Sequence, residues 1–163
     1  SLGWRSAVLA ATRIRDRLRV LRLKSFVKTT GGKGLHVVVP LAPSAGWDEC
    51  LSFARAFAQS LERAFPSDYI ASMPKARRRG KVFVDYLRNS RGSTSVAAFS
   101  TRAREGGPVS MPIPWEALEQ ADPAAFTTRT VPGLLAARDP WKGYDALRQH
   151  LPVVERVPRG QTL

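Results

Sequence analysis

Lys28-Thr29-Thr30-Gly31-Gly32-Lys33-Gly34-Leu35-His36-Val37-Val38-Val39-Pro40-Leu41 is the stretch that decides the fold. Three glycines in four positions let the backbone turn several N–H groups toward one anion. Lys33 adds a mobile cation, Thr30 a hydroxyl and His36 a ring donor, the combination a triphosphate needs. The β-branched run that follows, bounded by Pro40, reads as a strand largely buried on both faces. Ser25 to Lys28 reads as the lead-in to the turn. This is not a Walker A loop. Gly34 stands where Ser or Thr is required, Val27 stands at the upstream glycine position, and the turn precedes a strand instead of a helix. On its residues alone it reads either as a flexible hairpin turn beside a structural histidine or as a phosphate cradle.

Outward from this stretch the patterns turn helical. Upstream, Ala11, Ile14, Leu18 and Leu21 recur at spacings of three and four, one face of a helix. Arg13, Arg15, Arg17, Arg19 and Arg22 cover its other sides, as a solvated surface or as a nucleic-acid contact. Downstream, Trp47 to Phe65 carries the apolar stripe Cys50, Phe53, Ala54, Phe57, Ala58, Leu61 and Phe65, and Pro66 ends it. This helix is expected to cover one face of the sheet. Val82 to Leu87 reads as a second strand and Thr94 to Phe99 as a third, joined in a hairpin. Pro108 to Pro114 reads as an irregular crossing, and Trp115–Gln120, Pro132–Ala137 and Tyr144–His150 as short helices.

Asp85 is the one acid in its apolar run. A carboxylate buried there costs several kcal/mol unless it is paired with an arginine or bound to a hard cation such as Mg²⁺ or Mn²⁺. Both readings stand at this point. One aspartate does not make a two-metal phosphoryl-transfer site, and no Asp-x-Asp pair occurs in the sequence. Arg88, Arg91, Arg102 and Arg104 follow, able to grip phosphate bidentately or to form a basic surface. Lys75, Arg77, Arg78 and Arg79 form the densest basic run, either a loop on a nucleic-acid backbone or a solvated one.

Composition agrees with an anionic partner. The 163 residues carry 26 Lys and Arg against 13 Asp and Glu, a net charge of +13, which favours nucleic acid, nucleotide or an anionic surface. An apolar content of 44% fits one globular domain. The lone Cys50 excludes an internal disulfide framework, and His36 and His150 are too few for a multi-histidine metal site. No apolar run approaches the roughly 18 residues of a membrane span, the first residues do not read as a signal peptide, and no amphipathic anchor is evident. A reducing, cytoplasmic setting without a membrane role is expected.

Order and spacing then bring in a family. The 28–41 stretch resembles a signature of the archaeo-eukaryotic primase superfamily, and in particular of the polymerase domain of bacterial DNA ligase D, an end-joining repair enzyme that works with Ku. Gly80 to Asn89 resembles that family's metal-aspartate strand, and Thr94 to Arg104 its next strand and nucleotide arginine. Pro108 to Pro112, Trp115 and Asp139-Pro140-Trp141 resemble its later segments. The resemblance covers residues 10 to 145.

The resemblance implies an α+β primase-polymerase core, its mostly antiparallel or mixed sheet flanked by helices. It implies template-dependent addition of NTP or dNTP to a primer 3′-OH in double-strand break repair, with DNA, nucleotide and, further out, Ku and a ligase domain as partners. Thr30, Lys33 and His36 would bind the nucleotide's phosphates, Arg102 would clamp them, and Asp85 would be the third carboxylate for Mn²⁺ or Mg²⁺. The family's first motif, an Asp-x-Asp pair, lies before the helix that opens this chain. Residues 1–150 are therefore expected to be the C-terminal portion of such a domain, with 151–163 a tail, and to catalyse little alone. A nucleotide- or nucleic-acid-binding module without catalysis, or a subunit completed by a second chain, is the competing expectation.

Overall fold

A computed structural model of the chain describes residues 2–72, 74–137 and 139–152. Its central strand lies where the pattern predicts only a lead-in. β1 (Phe26–Thr29) is buried at all four positions and runs antiparallel to both neighbours, β2 (Leu35–Val38) and β5 (Pro112–Ile113), in the order β2-β1-β5. Four residues, two of them polar, give no strand periodicity. They hold because the polar pair is satisfied inside. Thr29 Oγ1 donates to Val109 O (3.0 Å) and accepts from Met111 N (2.8 Å), and Trp115 and Trp141 donate their indole N–H groups to Ser25 O (2.7 Å) and Val27 O (2.9 Å).

β2 is shorter and less enclosed than expected. It is an edge strand, half-buried at every position. Leu35 and Val37 pack against the core, while His36 and Val38 line a cavity on its other side. The expected irregular crossing at 108–114 instead supplies β5, and Val109 to Ile113 are all buried.

α1 (Trp4–Val20) is the spine between two layers. Ala11 packs with Val27, Ile113 and Leu118, whereas Ala10 packs with Leu61 and Tyr69. Adjacent alanines let both layers approach one helix closely. α1 stops at Arg22, left-handed at φ 59°, with Leu23 N–H on Leu18 O and Arg22 N–H on Arg19 O, the paired bonds of a Schellman ending. Its arginines are more than a solvated face. Arg13 pairs with Asp68 at 2.8 Å and lies over the Phe65 ring, and Arg15 lies over Trp115.

α2 (Trp47–Ala64) begins where Glu49 accepts from the Gly46 N–H at 2.8 Å. It does not cover the three-stranded sheet. It packs on β3 (Tyr69–Ile70), which pairs in parallel with β4 (Val82–Phe83), and on the tight turn at Leu87–Asn89. Only Ala58 and Leu61 of its stripe are fully buried, because Cys50, Phe53, Ala54 and Phe57 face a cleft of about 900 Å³ between α1, β2, α2 and β4.

The strand expected over 82–87 pairs for two residues and then turns. Asp85 Oδ1 accepts from Leu87 N at 3.0 Å and starts the Leu87–Asn89 turn. No strand forms at 94–99, so no hairpin with 82–87 exists. Lys28 takes the Val96 carbonyl at 2.7 Å, and Phe99 at φ 63° reverses the chain, which removes the ladder. Of the expected short helices, 132–137 is present as α3 (Val131–Ala137), and Trp115–Ala117 is a single 3₁₀ turn. Residues 144–150 are turn and irregular chain, tied down where Gln149 Nε2 donates to Lys24 O and Pro40 O, both at 2.9 Å. Most of the expected tail, 153–163, lies outside the described residues. Among the described residues no helix is long and apolar enough to cross a membrane.

Candidate functional site

The β1–β2 hairpin builds the first wall. Thr30 N–H and Thr30 Oγ1 both donate to Gly34 O at 3.1 Å, closing the glycine turn on itself. Gly31 sits at φ 64° and is buried, and a Cβ built on it would stand 2.6 Å from Cγ of Arg102. A Cβ on Gly32 would stand 3.1 Å from a guanidinium nitrogen of Arg104. The glycines are thus a seat on which two arginines lie. Arg102 is fixed further by its N–H on Pro108 O (2.8 Å) and its Nη1 on Thr30 O (3.4 Å), which leaves most of its guanidinium donors for a ligand. Lys33 is exposed at the tip of the turn.

Lys28 and His36 face each other across the β1–β2 ladder. Lys28 is 4% exposed, and its Nζ lies 2.7 Å from Val96 O, 2.8 Å from Ser110 Oγ and 3.1 Å from His36 Nδ1. Burial, and then the charge of Arg102, lower the Lys28 ammonium from its usual 10.5 to about 8. Burial, and then the Lys28 charge, lower His36 from 6.5 to about 4, so the imidazole is neutral near pH 7. Neither Lys28 nor Ser110 stands out in the sequence; the strand register, once known, points to the lysine.

Asp85 stands on the second wall, just past β4, and with Lys33, His36 and Arg88 it lines the large cleft. It is exposed, so the cost of burial that draws attention to it in the sequence is not present. Its Oδ2 lies 3.8 Å from Arg88 Nε, and its Oδ1 takes the Leu87 N–H. Among the described residues no group of three or more His, Cys, Asp or Glu is placed to hold a metal ion. Asp85 can supply one oxygen ligand; the described residues do not complete a metal site around it.

The structure therefore joins Thr30 to Arg102 on the glycine turn, and sets His36 on the next strand toward a cleft that Asp85 lines from the opposite side. The family model of the LigD primase-polymerase domain matches residues 1–141. The chain belongs to the LigD primase-polymerase domain family. Over 165 aligned residues it is 42% identical to the multifunctional non-homologous end joining protein LigD of Pseudomonas aeruginosa, covering 99% of this chain and 20% of that protein. It is 32% identical over 127 residues to the bifunctional non-homologous end joining protein LigD of Bacillus subtilis, covering 77% of this chain and 21% of that protein. It also resembles the solved polymerase domain of Mycobacterium tuberculosis ligase D in complex with DNA, with a TM-score of 0.82 and 32% identity over 91% of this chain and 52% of that one. The chain thus spans about a fifth of these LigD proteins and about half of that polymerase-domain chain. The glycine turn, Asp85 and Arg102 all fall inside the part that the LigD family model matches.

Proposed function

We propose that this chain forms the nucleotide-binding half of a LigD-type polymerase domain, which adds NTP or dNTP to a primer 3′-OH during end-joining repair of DNA breaks. The observation that carries the reading is the seating of Arg102 on the Gly31 backbone beside Thr30, with neutral His36 on the adjoining strand. The Arg102 guanidinium lies on the glycine turn, and Lys33 and His36 of the same hairpin line the large cleft, a set of donors that suits a triphosphate. Lys33 adds charge from the turn's tip. Asp85 serves as one ligand for Mn²⁺ or Mg²⁺, whose other carboxylates come from residues other than these 163. The excess of basic side chains, with exposed Arg77 and Arg79 on one loop, serves the DNA backbone. The same proposal takes Ku and a ligase domain as partners and a cytoplasmic setting, as the resemblance implies.

The single carboxylate supports a second reading, a binding module without catalysis. Template-dependent primer extension with Mn²⁺ and labelled nucleotide separates the two, run on this chain beside the same chain extended upstream through an Asp-x-Asp motif. Extension by the longer protein alone, abolished by Asp85→Asn, is the expected result. Extension by neither, with ATP still bound by this chain, would favour the binding module. ATP binding unchanged by Arg102→Ala would overturn the site itself.

A further inference from the structure

We propose that Lys28 is a positioning residue for His36: its ammonium donates to Nδ1, holds the ring in the tautomer protonated at Nε2, and so leaves an Nε2–H as the donor to the cavities that His36 lines. The role of that donor rests on the phosphate reading above; the tautomer itself does not.

The geometry leaves little choice. An ammonium has three protons and no acceptor site. Lys28 Nζ has three neighbours within hydrogen-bond distance, and each can accept. Val96 O is a carbonyl and only accepts. Ser110 Oγ spends its own proton on Thr29 O at 2.7 Å and is left as an acceptor. His36 Nδ1, at 3.1 Å, is then the third acceptor, and a neutral ring that accepts at Nδ1 carries its proton at Nε2. A proton on Nδ1 would set two N–H donors against each other at a site where Lys28 is 4% exposed. The lowered proton affinity of His36 agrees with this arrangement, since burial and then the Lys28 charge disfavour a second proton on the ring.

The contact is also built in by topology. Lys28 and His36 are direct cross-strand partners, and the five residues 30–34 closing the hairpin fix that register. Lys28 is tied in addition to Val96 and Ser110, on two segments distant in sequence. The ammonium therefore knits the 94–99 segment, the 108–111 segment and the hairpin around one imidazole. A structural lysine alone would need only the carbonyl and the hydroxyl; the contact to Nδ1 is what assigns it to the histidine.

The test is ¹⁵N NMR of the histidine-labelled 163-residue chain at neutral pH. The sequence holds only His36 and His150, and His150→Gln assigns the two rings. The expected spectrum has His36 Nδ1 at the position of an unprotonated ring nitrogen and Nε2 carrying a resolved one-bond N–H coupling. A proton on Nδ1, or an averaged tautomer pair, overturns the proposal without any variant at position 28. Lys28→Met, whose side chain has similar length and no donor, is expected to move His36 to an averaged pair while the thermal melt stays cooperative, and to weaken ATP binding by ~10-fold. A folded Lys28→Met chain with the His36 spectrum unchanged overturns it as well. The ATP titration of the unmutated chain keeps the two readings apart. An Nε2–H resonance that shifts with ATP supports both, and a fixed Nε2–H tautomer indifferent to saturating ATP overturns the phosphate role of His36 alone.

Discussion

Gly31→Ala tests whether the glycine turn exists to seat Arg102. The substitution carries two separable costs. The first is conformational. Gly31 is at φ 64°, and an L-residue held in that region costs about 1–2 kcal/mol. The second is steric. The new Cβ would lie 2.6 Å from Arg102 Cγ, whereas carbon atoms rest at about 3.5–4.0 Å, so the arginine stem must move by about 1 Å. Pro108 O and the Val109 carbonyl carbon, at 3.4 and 3.5 Å from the same Cβ, close the other side and leave the stem to give way. A displacement of about 1 Å in a group that orients a ligand costs on the order of 100-fold in function. Gly92→Ala is the control, because Gly92 has φ 78° with nothing within 4 Å of its Cβ. Both variants should lose stability, by ~2–8 °C in Tm from the backbone term. Only Gly31→Ala should lose affinity for ATP, read by isothermal calorimetry. Equal ATP affinity in the two variants would show that Arg102 on its glycine seat does not hold the triphosphate.

Stability predictions follow from burial. Leu61→Ala, at a fully buried position, should cost about 2–5 kcal/mol by urea denaturation, and Phe57→Ala clearly less, because that ring faces the cleft. Thr29→Val keeps the shape but removes both Oγ1 bonds, to Val109 O and from Met111 N, at about 1–3 kcal/mol; an unchanged urea midpoint would mean the two main-chain groups find other partners. The titration of His36 gives a pH effect of definite sign. Its folded value is about 4 and its ordinary value 6.5, so between them the unfolded chain binds more protons and stability falls as the pH falls. The drop across that window is at most about 3 kcal/mol, and His36→Gln should flatten it in urea midpoints measured at its two ends. Lys28, at about 8 against 10.5, has the same sign on the alkaline side, so stability should rise with pH between those values.

Both long helices were legible because their apolar positions recur at helical spacing, and Leu18, Ala58 and Leu61 are buried as the pattern requires. The glycine turn was legible because its residue types serve one chemistry. β1 was not. A four-residue strand with lysine and threonine inside it looks polar in sequence, and it is explained by the carbonyls, hydroxyl and indoles that reach it from residues 68 or more positions away. Recognising β1 would have exposed Lys28, since the turn at 30–34 sets Thr29 opposite Leu35 and Lys28 opposite His36. The apolar run 82–87 misled in the opposite way. Its hydrophobicity suggests a strand burying Asp85, but Val84 is the last residue in the ladder and Asp85 begins a turn in solvent. The cost of burial singles out Asp85 in the sequence and the family signature gives it a metal role; the exposed side chain removes the first ground and leaves the second.

The two walls of the cleft differ in how far they depend on anything else, and this bears on what can be separated by experiment. The anion wall is made of local pieces. One hairpin carries Thr30, Lys33 and His36, and the 100–110 segment, closed on itself by main-chain bonds at Thr101, Arg102 and Ser110, brings Arg102 to it with Nη1 on Thr30 O at 3.4 Å. Thr30, His36 and Arg102 there each have a partner within the fold. The opposite wall offers one carboxylate on a turn, held by a single main-chain N–H and a loose arginine contact at 3.8 Å. On the proposed reading, metal binding at Asp85 depends on ligands brought to it, whereas anion binding at the glycine turn does not. Removing divalent cations with a chelator should leave inorganic triphosphate bound to this chain with little loss, and Arg102→Ala should abolish that binding with or without the metal. A triphosphate that dissociates on chelation would mean that the two walls act as one site, and that the glycine turn cannot hold the anion by itself.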